Sequence, residues 1–325
     1  MSNPIVAVAD TIFPNLDPVK QELLRIDAEL KFAEQPTPEA ILAVAREADG
    51  LFVTYGQITA DIIGELENCK VIGRFGIGTD NIDIPAATKR GIVVTYAPVY
   101  CLEEVSDHTM AMLMALARKI PFASNLVRAG RWEMPAVVPI HRLRGQTLGL
   151  VGLGNIPQSV APKAQAFGIS VISSDPFVSP EIAAKLNVEL VSFDVLLERS
   201  DYVSLHAPLT PKTEKLLGAD AFGKMKPSAF LINTARGPLV DVDALAKALD
   251  AGEIAGAALD VLPVEPPPED LALLGRDNVI ITPHTAFYSE EALLNLQTTV
   301  AKDVVAVLGG KTPAYPVNAR ELGRG

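Results

Sequence analysis

The chain has 325 residues, 49% of them hydrophobic and 21% charged, which suits two globular domains of ordinary size. A formal net charge of -11 leaves no basic excess to neutralise phosphates, and so argues against a nucleic-acid partner. Two isolated cysteines, Cys69 and Cys101, supply neither a disulfide framework nor a metal-ligand spacing and read as reduced cytosolic thiols.

In chain order, the opening MSNPIVAVAD has no basic segment and only a short apolar run, so no signal peptide is expected. Strand candidates follow at 5–10, 50–55, 71–76 and 91–97. The stretch from Cys101 to Arg131 holds no strand and separates this series from the next. Its most apolar segment, MAMLMALA (110–117), is flanked by Asp107, Arg118 and Lys119 and reads as a buried helix of a soluble protein. No apolar run reaches the ~18 residues of a membrane span. A second series runs through 147–154, 170–175, 188–192, 202–208, 229–235, 255–261 and 278–284, with helical patterns such as 241–253 between the strands. Strands apolar on both faces and alternating with helices predict α/β domains with parallel, doubly covered sheets. The proline-rich VLPVEPPPED (261–270) reads as a rigid loop. A last helix at 289–310 follows the second sheet and is placed to cross back to the first domain.

The first strand of the second series ends in LVGLGNIPQSV. Gly152 and Gly154 fit a turn in which backbone N–H groups approach a pyrophosphate at a helix N-terminus. Asp175 ends the next strand, 21 residues after Gly154, where an acidic residue accepts from a ribose hydroxyl and repels a 2′-phosphate. NAD(H) is therefore favoured over NADP(H). Pro157 stands where the G-x-G-x-x-G fingerprint has its third glycine, and Pro162 lies inside the following helix. A first-turn proline removes no intrahelical bond. An interior one costs ~3 kcal/mol or bends the helix, so a bent helix behind an intact phosphate loop is expected.

Three further strand ends carry polar chemistry. Arg236 in NTARG offers local positive charge in an acidic chain, Glu265 follows the next strand, and His284 in TPHTAF is a candidate acid/base. His108, in an apolar helix, reads as a core or interface residue, and His206 as either cleft-lining or packing. No metal-ligand cluster and no nucleophile elbow is found.

The segments RFGIGTDNIDIPAATKRGIVVTYAP, EEVSDHTMAMLMALARKI, GLGNI, HAPLTPKTEKLL, NTARGPLVD, ALDVLPVEP and TPHTAFYSEEA together resemble the D-isomer-specific 2-hydroxyacid dehydrogenases, in particular their C-terminal-binding-protein-like branch. The resemblance spans essentially the whole chain. It implies two Rossmann-like or flavodoxin-like domains with a cleft between them. The substrate-binding domain would comprise residues 1–101 and 287–325, and the NAD-binding domain residues 102–286. It also implies a cytoplasmic homodimer using the 101–140 region. Arg236 would hold the substrate carboxylate and carbonyl oxygen, His284 would be the acid/base, and Glu265 would hydrogen-bond His284 and favour its protonated form. The cofactor would meet Gly152, Gly154, Asn155, Ile156, Asp175, His206, Pro208, Thr213, Thr234, Ala235 and Asp260. Tyr55, Arg74, Ile77, Gly78 and Tyr100 would surround a mid-sized 2-oxo acid, with the N–H groups of Ile77 and Gly78 on its carboxylate. Asn155 stands where the resemblance often has arginine. The activity implied is NAD(H)-dependent interconversion of a D-2-hydroxy acid and its 2-oxo acid. The alternative is an NAD(H)-sensing regulatory dimer with vestigial catalysis, which the altered phosphate helix motivates.

Overall fold

Runs of branched apolar residues form two separate parallel sheets. The computed structural model describes residues 3–323. The chain divides into two compact units, residues 1–100 with 289–325, and residues 101–288.

The first unit holds β1 (Ile5–Val8), β2 (Glu29–Phe32), β3 (Gly50–Val53), β4 (Val71–Arg74) and β5 (Val93–Thr95), all parallel in the order β2-β1-β3-β4-β5. Strands β3, β4 and β5 are buried along their whole length, as parallel strands covered on both faces must be. The sequence offered no strand at β2. Its residues Glu-Leu-Lys-Phe are half exposed at the sheet edge, so they carry no apolar run, and the pairing of Ile5 with Glu29 fixes them instead. The Glu290–Leu308 helix begins at Ser289, whose hydroxyl accepts from the Ala292 N–H at 2.9 Å. It lies so close to β4 that a Cβ on Gly73 would stand 2.8 Å from both Val300 and Val304. Only glycine lets this helix seat there.

The second unit holds β6 (Thr147–Val151), β7 (Ser170–Ser174), β8 (Glu189–Leu190), β9 (Tyr202–Leu205), β10 (Phe230–Asn233), β11 (Gly256–Leu259) and β12 (Val279–Ile281). All are parallel, in the order β12-β11-β10-β9-β6-β7-β8. Every strand of the second predicted series is present. The chain winds outward from β6 through β7 to β8, then returns to β9 and winds the other way. The crevice at the carboxyl ends of β6 and β9 is therefore the topological switch point, where such sheets take ligands. The apolar 110–117 segment lies in the Leu102–Ala117 helix and buries Met110, Met112, Leu113 and Leu116 in the core of this unit. Among the described residues no helix is long and apolar enough to cross a membrane.

Candidate active site

At the switch point, β6 ends in Gly152 with φ of 98°, a conformation that favours glycine. A Cβ there would also stand 3.1 Å from the backbone oxygen of His206, which follows β9. Gly154 differs: its φ is -72° and a Cβ would meet nothing within 4 Å. The protein itself does not require glycine at 154. The open space lies over the start of the Asn155–Ala166 helix, whose first N–H groups, those of Asn155 and Ile156 among them, have no intrahelical partner. This cradle fits a dinucleotide pyrophosphate.

Pro157 is the third residue of that helix and is buried. Its missing N–H would have had no intrahelical partner, since the first such bond along the turn is Gln158 N–H to Gly154 O at 3.1 Å. The helix continues unbroken through Pro162 to Ala166. The loop ahead of it is held by Asp175, at the end of β7. One Asp175 oxygen accepts from Leu153 N–H at 2.7 Å, and the other from Phe177 and Val178 N–H at 2.7 and 3.2 Å. Each carboxylate oxygen has two acceptor sites, so capacity for a ribose hydroxyl remains. Beside it, Phe177 is 95% exposed, an aromatic face at the nucleotide end of the sheet that the sequence reading did not single out.

The other expected cofactor residues occupy the loops after β9, β10 and β11. The His206 imidazole bonds the Ser204 hydroxyl at 2.9 Å, and its burial pushes its pKa down to about 3, so the ring is neutral. The Thr213 hydroxyl donates to Pro208 O at 2.7 Å and accepts from Thr210 N–H at 2.8 Å, which folds the 208–213 loop. Thr234 and Thr109 share a hydroxyl hydrogen bond of 2.8 Å.

Arg236 is aimed by a device that sequence alone did not reveal. The side chain of Asn233, fully buried at the end of β10, accepts from Ala235 N–H at 3.0 Å and donates to Arg236 O at 2.9 Å. The turn from 234 to 236 is thus clamped from below. A Cβ on the next residue, Gly237, would stand 1.9 Å from the carbonyl carbon of Leu262. The loop after β10 therefore lies directly against the loop after β11, which carries Glu265. One Glu265 oxygen accepts from Leu262 N–H at 2.9 Å, and the other meets His284 Nδ1 at 2.7 Å. Burial alone would raise the Glu265 pKa. The His284 hydrogen bond and charge, the Leu262 N–H and Arg236 together outweigh burial and hold the carboxyl below its usual value. A depressed folded-state carboxyl contributes stability at pH above its unfolded value, and that contribution is lost as pH falls through the folded one.

His284 itself has φ of 52°, a left-handed conformation uncommon outside glycine, and strain of this kind clusters at functional sites. Phe287 packs edge-on against its ring, with centroids 6.1 Å apart. The strain is over-determined by Asp260, at the end of β11 and only 2% exposed. Its carboxylate accepts from the Thr282 hydroxyl at 2.5 Å, Thr285 N–H at 2.9 Å and Ala286 N–H at 2.9 Å, while its backbone oxygen accepts from His284 N–H at 2.8 Å. His108 extends the network from the Leu102–Ala117 helix, with Nε2 at 3.1 Å from the Thr282 hydroxyl. The Thr282 hydroxyl is committed as a donor to Asp260, so His108 Nε2 donates to it. His108 is thus a prop for the loop that holds His284.

Arg236, Glu265 and His284 sit at the carboxyl ends of three neighbouring strands, β10, β11 and β12, in one unit. Glu265 engages Nδ1 of the ring, and Nε2 is the nitrogen on its other side. The arrangement offers a proton donor or acceptor backed by a carboxylate, beside a guanidinium that suits an anion. Among the described residues no cluster suited to a metal ion occurs.

The five residues expected around a substrate all lie in the other unit, on loops at the carboxyl edge of its sheet. Tyr55 follows β3, and its N–H donates to Asp10 at 2.7 Å. Arg74 ends β4, is 9% exposed, and donates from its guanidinium to Phe75 O at 3.0 Å. Ile77 and Gly78 follow it, and Tyr100 closes the loop after β5.

Residues 110–286 match the family model described as D-isomer specific 2-hydroxyacid dehydrogenase, NAD binding domain. The D-3-phosphoglycerate dehydrogenase of Methanocaldococcus jannaschii is 42% identical over 307 residues, covering 93% of this chain and 58% of that one. The glyoxylate reductase of Thermofilum pendens is 39% identical over 292 residues, covering 88% of this chain and 86% of that one. This chain thus spans only about half to three-fifths of its phosphoglycerate dehydrogenase relatives but most of the glyoxylate reductase. Among solved structures, the D-lactate dehydrogenase of Aquifex aeolicus with NAD and lactic acid superposes with a TM-score of 0.87 at 30% identity, over 96% of this chain and 98% of that one. An NADPH-dependent glyoxylate/hydroxypyruvate reductase from Sinorhizobium meliloti gives a TM-score of 0.87 at 31% identity, over 97% of each chain.

Proposed function

Since the chain belongs to the D-isomer specific 2-hydroxyacid dehydrogenase family, we propose that it interconverts a D-2-hydroxy acid and its 2-oxo acid with NAD(H). The observation that carries this reading is the His284–Glu265 contact of 2.7 Å on the same sheet edge as Arg236 and the dinucleotide cradle. Gly152, Gly154, Asn155, Ile156 and Asp175 would hold the cofactor, which supplies or accepts the hydride when bound. His284 Nε2 gives a proton to the substrate carbonyl oxygen in reduction and takes the hydroxyl proton in oxidation. Glu265 on Nδ1 fixes the ring in place for that proton transfer. Arg236 neutralises the substrate carboxylate and the charge that develops on the reacting oxygen. The Asp175 carboxylate supports NAD(H) over its 2′-phosphorylated counterpart. Turnover of a panel of 2-oxo acids, followed as loss of absorbance from NADH and in parallel from NADPH, tests the reading. Faster consumption of NADH is expected, and no consumption of either with any 2-oxo acid would sink it.

We also propose a cytoplasmic homodimer. Neither cysteine is in a disulfide, as expected of thiols in a reducing compartment. The arm after the Ile120–Arg128 helix carries Trp132 at 90% exposure, Met134 at 74% and Val138 at 60%. A groove of about 590 Å³ in the same unit is lined by Leu116, Phe122, Ile140, Tyr202 and Phe230. Exposed apolar surface beside a matching groove in one unit is what a self-complementary interface requires. Sedimentation equilibrium is expected to give twice the chain mass of 34.6 kDa. Trp132→Asp should shift the equilibrium to monomer, and a wild-type monomer at micromolar concentration would refute the assignment.

A further inference from the structure

Several of the curated relatives carry the name of a phosphoglycerate enzyme, yet the described loops at the carboxyl edge of the first unit's sheet hold no lysine or arginine to meet a phosphate. Its sheet has the strand order β2-β1-β3-β4-β5, a doubly wound arrangement whose ligand side is the carboxyl edge. The loops of that edge are residues 9–16, 54–59, 75–83 and 96–100. They contain no lysine and no arginine. Arg74, which ends β4, is the nearest cation. It is 9% exposed, and its guanidinium is folded back onto the chain, donating to Phe75 O. A Cβ on Gly76 would stand 1.3 Å from Arg74 Nη1, so the glycine makes room for that folded pose. The same loops carry Asp10, Asp80 and Asp83, so the edge is acidic. They also expose large apolar side chains: Ile12 is 53% exposed, Tyr55 38% and Val99 50%.

We infer that the carboxyl edge of the first unit selects 2-oxo acids with an uncharged, apolar or hydroxylated tail and rejects phosphorylated and dicarboxylic ones. The inference rests on the reading of the chain as a 2-hydroxyacid oxidoreductase. A second anionic group on a tail that reaches these loops meets no lysine or arginine in them, and Asp10, Asp80 and Asp83 lie on the same edge. Bringing a second charge to such a surface is unfavourable.

Steady-state kinetics with NADH on 4-methyl-2-oxopentanoate, hydroxypyruvate, 3-phosphohydroxypyruvate and 2-oxoglutarate test it. The better of the two uncharged tails is expected to exceed both doubly anionic substrates in kcat/KM by about 100-fold or more. Tyr55→Arg, and separately Ile12→Lys, places a cation on an exposed position of this edge. Either should move the ratio of phosphohydroxypyruvate to hydroxypyruvate kcat/KM upward by about tenfold. A wild-type preference for the phosphorylated or dicarboxylic substrate overturns the inference while leaving the oxidoreductase reading intact. Turnover of no 2-oxo acid overturns both. An unchanged ratio in both variants overturns the assignment of these loops as the selective surface.

Discussion

Replacing His284 with glutamine is expected to lower kcat for 2-oxo acid reduction by about 10²- to 10⁴-fold, the usual contribution of a positioned general acid. NADH affinity should change far less, because the cradle at Gly152–Ile156 and Asp175 lies on other strands of the sheet. The two readouts separate a catalytic role from a structural one. Fluorescence titration with NADH should give a Kd within a few-fold of wild type, while single-turnover reduction collapses. Glu265→Gln is the companion variant. It keeps an acceptor for the Leu262 N–H but removes the charge beside His284 Nδ1 at 2.7 Å. Loss of that charge is expected to lower kcat by about tenfold or more while NADH affinity holds. Full activity in His284→Gln would assign the proton transfer to another group.

Gly237→Ala is expected to be the most damaging single-methyl change in the second unit. The added Cβ would fall 1.9 Å from the carbonyl carbon of Leu262 and 2.1 Å from its oxygen, and both partners are backbone. No side-chain rotation relieves such a contact, so the loops after β10 and β11 must part. Overpacking of this kind costs about 3 kcal/mol or more. A lower thermal midpoint together with loss of kcat is expected, since Arg236 precedes the glycine and Glu265 follows Leu262 within three residues. Differential scanning fluorimetry and the 2-oxo acid assay read the two effects. An unshifted midpoint would mean that the two loops separate at no cost.

The parallel sheets were readable because strands covered on both faces must be apolar throughout, as GLFV and LGLV are. β2 was not, since an edge strand paired on one side tolerates Glu29 and Lys31. The candidate residues for the chemistry were also visible: Arg236, Glu265 and His284 each stand within a few residues of the end of an apolar run, and their types are unusual there. Their supports were hidden. Asn233 looks like the polar end of a strand, and only the fold shows both ends of its amide gripping the turn beneath Arg236. His108 sits in sequence like a packed helix residue, 176 positions before His284, and its link through Thr282 to Asp260 exists only once the Leu102–Ala117 helix packs on β10 and β11. Pro162 suggested a bent helix, and the proline does lie inside a helix. The Asn155–Ala166 helix stays continuous across it, with Val160, Ala161 and Ala164 buried in the core on either side.

Asp175 has a consequence for how the cofactor choice of this protein can evolve. Its carboxylate, which we propose meets the ribose, also ties down the N–H groups of Leu153, Phe177 and Val178. Discrimination and loop architecture therefore share one side chain. A lineage drifting toward the phosphorylated dinucleotide cannot simply shed the charge, because losing it also unties the turn that carries Gly154. An asparagine keeps one acceptor oxygen and sacrifices the other, so half of the tether goes with the selectivity. The path to a changed preference has to run first through neighbours that re-anchor the turn, and only then through position 175.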